Sequence, residues 1–276
     1  MNIGIIGLGL IGGSISKAIK ENTDYKVFGT DLKESVIYKA ILLEAIDERL
    51  TDDILPSCDI VIVALYPEDC IDYIKKKASL FKKSSIVFDC CGVKRSVCSE
   101  VQHIAEQNGF LFIGGHPMAG LEYSGFAYSQ KALFQNASMI LTPPDGIKIQ
   151  LLEKIKHFWL SLGFTNVEIT SPEKHDQIIA FTSQLAHIVS SAYIKSPKAP
   201  LHKGFSAGSY KDLTRVAKLN ADMWTQLFLM NKDNLVSEID GLINRLTEYR
   251  DSLNDNNERK LWHLLEEGTK KKLSIG

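Results

Sequence analysis

Ile3-Gly4-Ile5-Ile6-Gly7-Leu8-Gly9-Leu10-Ile11-Gly12-Gly13-Ser14 is the stretch on which the fold turns. Ile3–Ile6 reads as a short β-type run that stops at Gly7, and a helical pattern follows to about Lys20. Gly7, Gly9 and Gly12 form a G-x-G-x-x-G between them. The first glycine allows a tight turn, the second lets a pyrophosphate approach the backbone, and the third lets helix and strand pack closely. The N–H groups that open the helix, at Leu10 and Ile11, and the helix dipole then favour phosphate. Alone the motif is weak. Here strand and helix flank it.

A second strand, Tyr25–Gly29, ends at Asp31, 19 residues after Gly12. A carboxylate there takes the ribose 2′-hydroxyl of NAD and repels the 2′-phosphate of NADP. The expected cofactor is therefore NAD, with NADP less favoured; the nearby Lys33 softens that preference. Asp59–Leu65 is a continuous apolar run, as a parallel strand covered on both faces requires. Pro67 then opens a helix at a position where its missing N–H costs nothing. Ser85–Asp89, Phe110–Ile113 and Ser138–Leu141 are further strands, and alternation with helices continues to about residue 165. This is the pattern of a doubly wound, Rossmann-type α/β sheet.

The rest of the chain differs. Ser171-Pro172-Glu173 starts a helical pattern running to about Lys195. Ser196–Tyr210, with two Pro and two Gly, reads as a loop. Lys211–Leu253 and Asn256–Leu273 read as helical again. The expected organisation is a nucleotide-binding domain over 1–170 and an all-helical domain over 171–276. No internal repeat is visible.

Composition narrows the function classes. The 276 residues are 45 % apolar and 24 % charged, as in ordinary globular chains. Lys+Arg is 32 against Asp+Glu 33, a net charge of −1, so no basic surface for nucleic acid is expected. The uncharged stretch Gln177–Ile194 holds two Gln, three Ser, a Thr and a His, too polar for a lipid-facing span. The N-terminus lacks the cationic region of a signal peptide. The cysteines are Cys58, Cys70, Cys90, Cys91 and Cys98, an odd set without a Cys-x-x-Cys pair. They suit reduced thiols in a cytoplasmic protein rather than a disulfide framework or a metal site.

Two segments carry the candidate chemistry. Asp89-Cys90-Cys91-Gly92-Val93-Lys94 follows a strand, at the edge where open α/β sheets bind ligands. Gly114-Gly115-His116-Pro117-Met118-Ala119-Gly120 follows the next strand and reads as a loop, with His116 suited to general acid–base work.

With GLGLIGGS, FIGGHPMAGLEYSG, LFQNASMILTP, His175-Asp176, Ser183-Gln184-Leu185-Ala186-His187 and Lys211-Asp212-Leu213-Thr214-Arg215 in order along it, the chain resembles the prephenate/arogenate dehydrogenase family of tyrosine biosynthesis. The HPMAG and KDxTR segments are the specific ones. The resemblance implies an N-terminal NAD(P) domain, a helical domain that forms a homodimer, and oxidative decarboxylation of a small cyclohexadienol to a phenol. It implies that His116 takes the proton of the ring 4-hydroxyl and that Arg215 holds a substrate carboxylate. His187 is implied as a second substrate-site histidine, with Lys211, Glu122 and Gln184 as further lining residues.

The chain departs from the family pattern twice. The strand-end motif usually reads D-x-x-S-V-K, and Gly92 stands where its serine orients the catalytic histidine; a water, a backbone N–H or a neighbouring cysteine would have to serve instead. The family's S-H-L-P-H is here S-Q-L-A-H, so Gln184 replaces a histidine, which bears on whether the substrate side chain is the keto acid of prephenate or the amino acid of arogenate. No C-terminal regulatory domain is expected. Two other readings are weighed. A 3-hydroxy acid dehydrogenase would place its catalytic lysine in a glycine-rich helix, whereas Lys211 sits within KDLTR. A non-catalytic NAD(H) sensor is made thinkable by Gly92, but His116 and Arg215 argue against it.

Overall fold

The computed structural model describes residues 1–276, and one eight-stranded sheet organises the first 170 of them. Its strands are β1 (Asn2–Ile6), β2 (Lys26–Thr30), β3 (Glu48–Arg49), β4 (Ile60–Val63), β5 (Ile86–Asp89), β6 (Leu111–Pro117), β7 (Ser138–Thr142) and β8 (Asn166–Ile169). They lie in the order β3-β2-β1-β4-β5-β6-β7-β8. The first six pair in parallel, as the doubly wound pattern requires. The β7 and β8 strands run parallel to each other and antiparallel to β6.

Period-two alternation divides the core into two layers. Ile60 and Ile62 of β4, with Ile3 and Ile5 of β1, face one layer beneath α1 (Leu10–Asn22) and α5 (Ile149–Ser161). Val61 and Val63, with Val87 of β5 and Phe112 of β6, face the other beneath α3 (Pro67–Lys77) and α4 (Arg95–Asn108). The helix α2 (Glu34–Leu42) joins the first layer through Ile37 and Ala40. The β4 strand is buried along its whole length, which is why its sequence is unbroken Ile and Val.

The second half is helical: α6 (Pro172–Ile179), α7 (Ala186–Tyr193), α8 (Gly208–Thr214), α9 (Ala221–Met230), α10 (Lys232–Asn254) and α11 (Glu258–Ile275). Ser171 caps α6 by accepting from Lys174 N at 3.2 Å. The stretch read as one helix to Lys195 is interrupted by a π-helical turn over Ala180–Leu185. The long helical reading from Lys211 is broken twice. Asn220 caps α9 through Met223 N, and the buried Asn231 separates α9 from α10. Within the presumed loop Ser196–Tyr210, α8 already begins at Gly208. No helix is long and apolar enough to cross a membrane.

One correction shapes the site. Gly114–Pro117 is not loop but the second half of β6. This strand changes partners midway: Leu111–Ile113 pair with β5, and Gly114–Pro117 pair with β7, His116 opposite Ile140. Glycine at 115 follows from close packing, because a Cβ there would lie 2.5 Å from the Asp89 carbonyl oxygen. His116 therefore stands on a laddered strand, a firmer mount than a loop.

Candidate active site

The glycine loop turns at Gly7, whose φ of +84° is left-handed and whose Cβ would strike the Ala64 carbonyl oxygen at 2.6 Å. A Cβ on Gly12 would collide with the Gly7 carbonyl oxygen, so helix and loop touch there. Gly9 faces open space: a Cβ on it would meet nothing within 4 Å. That is the arrangement a pyrophosphate needs, with room over the backbone and the half-exposed Leu10 and Ile11 opening the helix beside it. At the end of β2, Asp31 accepts from Leu8 N and Lys33 N, each at 3.0 Å. Each of its oxygens keeps a free lone pair, and the carboxylate is anchored to the glycine loop itself. These residues fit a dinucleotide with an unphosphorylated ribose. The first turn of α1 and the end of β6 share the carboxyl edge of the sheet, three strand spacings or roughly 14 Å apart.

Beneath that edge lies a buried ion pair. Lys94 and Asp89 are both fully buried and bonded to each other. Lys94 Nζ also donates to the Gly115 carbonyl at 2.6 Å, while Asp89 accepts from Gly115 N and Cys91 N at 2.9 Å each. Burial alone would lower the Lys94 pKa; the facing Asp89 carboxylate and nearby thiols more than reverse this, so the ammonium stays charged. The pair joins the turn after β5 to the strand that carries His116.

From α6, His175 and Asp176 enter the same region, both buried. His116 Nδ1 lies 2.9 Å from His175 Nε2, and His175 Nδ1 lies 2.7 Å from Asp176 Oδ1. Asp176 also accepts from the main-chain N–H groups of Lys94 at 2.7 Å and Arg95 at 3.0 Å. No side chain of its own segment caps α4, and the Asp176 carboxylate supplies that cap from the helical half. Burial, then the neighbouring His175 and the Lys94 charge, push the His116 pKa well below the usual histidine value. Burial also lowers that of His175, against the pull of Asp176.

The other expected residues divide. His187 on α7 is half-buried, donates from Nδ1 to the Ser183 carbonyl at 2.8 Å, and lies against Trp224 of α9 with ring centroids 4.1 Å apart. Arg215, exposed at the end of α8, is close enough to His187 to oppose its protonation, after burial the main depressing influence. Lys211 on α8 and Glu122 after β6 are exposed. Gln184 is a correction. It is 1 % exposed, donates to the Leu227 carbonyl at 3.2 Å and accepts from Asn231 at 2.8 Å, so its amide is bonded within the helical core rather than open at the surface of a cleft. Sequence reasoning gives no role to Lys94, His175, Asp176, Trp224 or Asn231. Their signal was faint: polar residues that the flanking helices and strands bury.

Gly92 offers the neighbouring His116 no side-chain hydroxyl. Cys91 turns its thiol to the Leu65 carbonyl at 3.6 Å, and Cys90 is held protonated by burial and by Asp89. A Cβ built on Gly92 meets Leu227 Cδ2 at 3.3 Å and His116 Nε2 at 3.8 Å, and its backbone is not left-handed. A serine side chain therefore fits after a small shift of a flexible leucine. Steady-state kinetics of Gly92→Ser are expected to show kcat within about tenfold of the parent; total loss would contradict this.

The chain is similar to known proteins over nearly its whole length. Residues 15–168 match the family model described as the prephenate dehydrogenase nucleotide-binding domain, and residues 171–267 match the prephenate dehydrogenase dimerization domain. The chain is 32 % identical over 255 residues to prephenate dehydrogenase of Bacillus subtilis, covering 89 % of this chain and 68 % of that protein. It is 30 % identical over 285 residues to cyclohexadienyl dehydrogenase of Zymomonas mobilis, covering 99 % and 96 %. The crystal structure of prephenate dehydrogenase from A. aeolicus, in complex with hydroxyphenyl propionate and NAD+, superposes with a TM-score of 0.88 at 30 % identity, covering 100 % of this chain and 98 % of that one.

Proposed function

Because this chain belongs to the prephenate dehydrogenase family, we propose that it converts prephenate to 4-hydroxyphenylpyruvate by NAD-dependent oxidative decarboxylation in tyrosine biosynthesis. The observation that carries the reading is His116. It is a neutral imidazole on a laddered strand at the carboxyl edge of the sheet, with Nε2 beside Gly92.

The residues would act as follows. Gly7, Gly9 and Gly12, with the Leu10 and Ile11 N–H groups, seat the pyrophosphate, and Asp31 takes the ribose hydroxyls. The nicotinamide, when bound, supplies the hydride acceptor for C4 of the substrate ring. His116 Nε2 takes the 4-hydroxyl proton as the C4–H bond breaks, because the carbon then becomes a carbonyl carbon. Loss of the ring carboxylate as CO₂ restores aromaticity, and the proton returns from Nε2 to the phenolate oxygen. Arg215 holds a substrate carboxylate with a charge-assisted pair worth about 1.5–3 kcal/mol. His187, packed against Trp224, lines the side-chain end, with Lys211 and Glu122 at the rim.

Arogenate is the alternative substrate. With Gln184 turned into the core, its replacement of a histidine does not choose between the keto acid and the amino acid. The deciding assay is NADH formation with prephenate and with arogenate, in NAD and in NADP; inertness toward both substrates overturns the reading. Asp31→Ser is expected to reduce or reverse a clear preference for NAD. Equal kcat/KM with both cofactors in the parent would contradict the role given to Asp31.

The same reading makes the protein a cytoplasmic homodimer, with 1–170 as cofactor domain and 171–276 as the helical partner-binding domain. Apolar side chains left open on the helical half support the dimer: Phe181 is 58 % exposed and Leu253 60 %. Light scattering at micromolar concentration should give twice the chain mass; a monomer would contradict it.

A further inference from the structure

The missing hydroxyl at Gly92 leaves the Nε2 side of His116 without a protein partner, so its ring must be held from Nδ1. The donors and acceptors on that side can be counted outward from Asp176. Its Oδ1 faces Lys94 N and His175 Nδ1, and its Oδ2 faces Arg95 N at 3.0 Å and Arg95 Nε at 3.4 Å. Main-chain N–H and guanidinium can only donate, so the carboxylate acts as acceptor throughout. Those hydrogen bonds outweigh its burial and hold its pKa below the usual value. His175 Nδ1 must then carry the hydrogen. A neutral imidazole with Nδ1–H has a bare Nε2, which can only accept. His116 Nδ1, 2.9 Å away, must therefore donate, and the lone pair of His116 is left on Nε2.

We propose that His175, locked by Asp176, is a positioning residue that holds His116 in the tautomer whose bare Nε2 faces Gly92. The inference rests on the reading of His116 as the base. The orienting bond lies on the side of the ring away from Gly92. The intervening neutral imidazole passes on direction without passing on the carboxylate charge. The charged groups that face the two rings are Asp176 from α6, and Asp89 and Lys94 from β5 and its turn. For His116, burial, His175 and the Lys94 ammonium together disfavour the imidazolium. The ring thus stays unprotonated below the ordinary histidine range, and its tautomer decides whether it can work.

The test has two arms on the full chain. In protein labelled with ¹⁵N-histidine, the two-bond proton–nitrogen correlations, assigned with His116→Asn, should show His116 and His175 both as Nδ1–H at neutral pH. In kinetics, His175→Asn keeps the amide that donates to Asp176 but is too short to reach His116. It should lower kcat by about 10–10²-fold with both KM values changed little, as losses of an orienting partner do. His175→Gln places an acceptor where Nε2 stood and should recover kcat to within about fivefold of the parent. An Nε2–H tautomer for His116 in the parent overturns the proposal. So does a kcat for His175→Asn within about twofold of the parent, or a His175→Gln no better than His175→Asn. Should the chain turn over neither prephenate nor arogenate, the functional reading fails while the tautomer measurement still decides the positioning. Because that measurement uses the parent, poor folding of a His175 variant leaves it intact.

Discussion

His116→Asn is expected to lower kcat by about two to four orders of magnitude while leaving NAD affinity unchanged, since a positioned general base is worth about 10²–10⁴. Asparagine retains a polar group of similar reach on the same rung of β6, opposite Ile140, but cannot take a proton. The cofactor loop lies three strands away and does not touch this position. The pH profile sharpens the expectation. The base must be unprotonated, and burial, with His175 and Lys94, lowers the His116 pKa below its usual value near 6.5. The parent should therefore remain active to a pH lower than an ordinary histidine allows, and the acidic limb of kcat should vanish in the variant. Arg215→Ala should behave differently, raising KM more than it lowers kcat, because a carboxylate partner is engaged before and during reaction. A His116→Asn enzyme with near-parental kcat would move the base elsewhere, with His187 the next candidate.

Lys94→Met is expected to cost about 3–5 kcal/mol of stability, the usual loss when one partner of a buried ion pair is removed. Methionine retains much of the aliphatic stem, so lost packing is a minor part. What remains is the Asp89 carboxylate, fully buried and without its counter-charge, bonded only to Gly115 N and Cys91 N. The Gly115 carbonyl loses its donor at the same time. Urea unfolding followed by far-UV circular dichroism measures the change. A loss under about 1 kcal/mol would show that the Asp89 carboxylate finds another partner or reaches water.

Strong local rules made the first half of the chain readable. The glycine loop, the apolar Ile60–Val63 and the proline at the start of α3 each report a constraint within a few residues. The strands that escaped notice are edge-like or short. The β3 strand is two exposed charged residues, and β8, Asn-Val-Glu-Ile, buries only Val167. The second half of β6 was hidden by Gly114, Gly115 and Pro117, types that read as loop. They are tolerated because the strand leaves β5 and pairs with β7 there, and because Asp89 and Lys94 crowd against it. Gln184 failed for the opposite reason. A motif position pointed to a ligand, but the π-helical turn and Asn231 give its amide partners inside the core. His175 and Asp176 lie 59 or more residues from the groups they meet in the first half, so no local pattern could reveal the contact.

The carboxylate of Asp176 has a consequence for motion. It caps α4 across the junction between the two halves and, through Oδ1, also holds His175. Any hinge-like parting of the halves about residues 170–171 must break that cap and pull His175 away from His116 in one event. Breathing at this junction and disarming of His116 are thus a single equilibrium. Solvent exchange of the Lys94 and Arg95 amide hydrogens would count how often it occurs: an amide protected only by Asp176 exchanges at the frequency with which the halves separate.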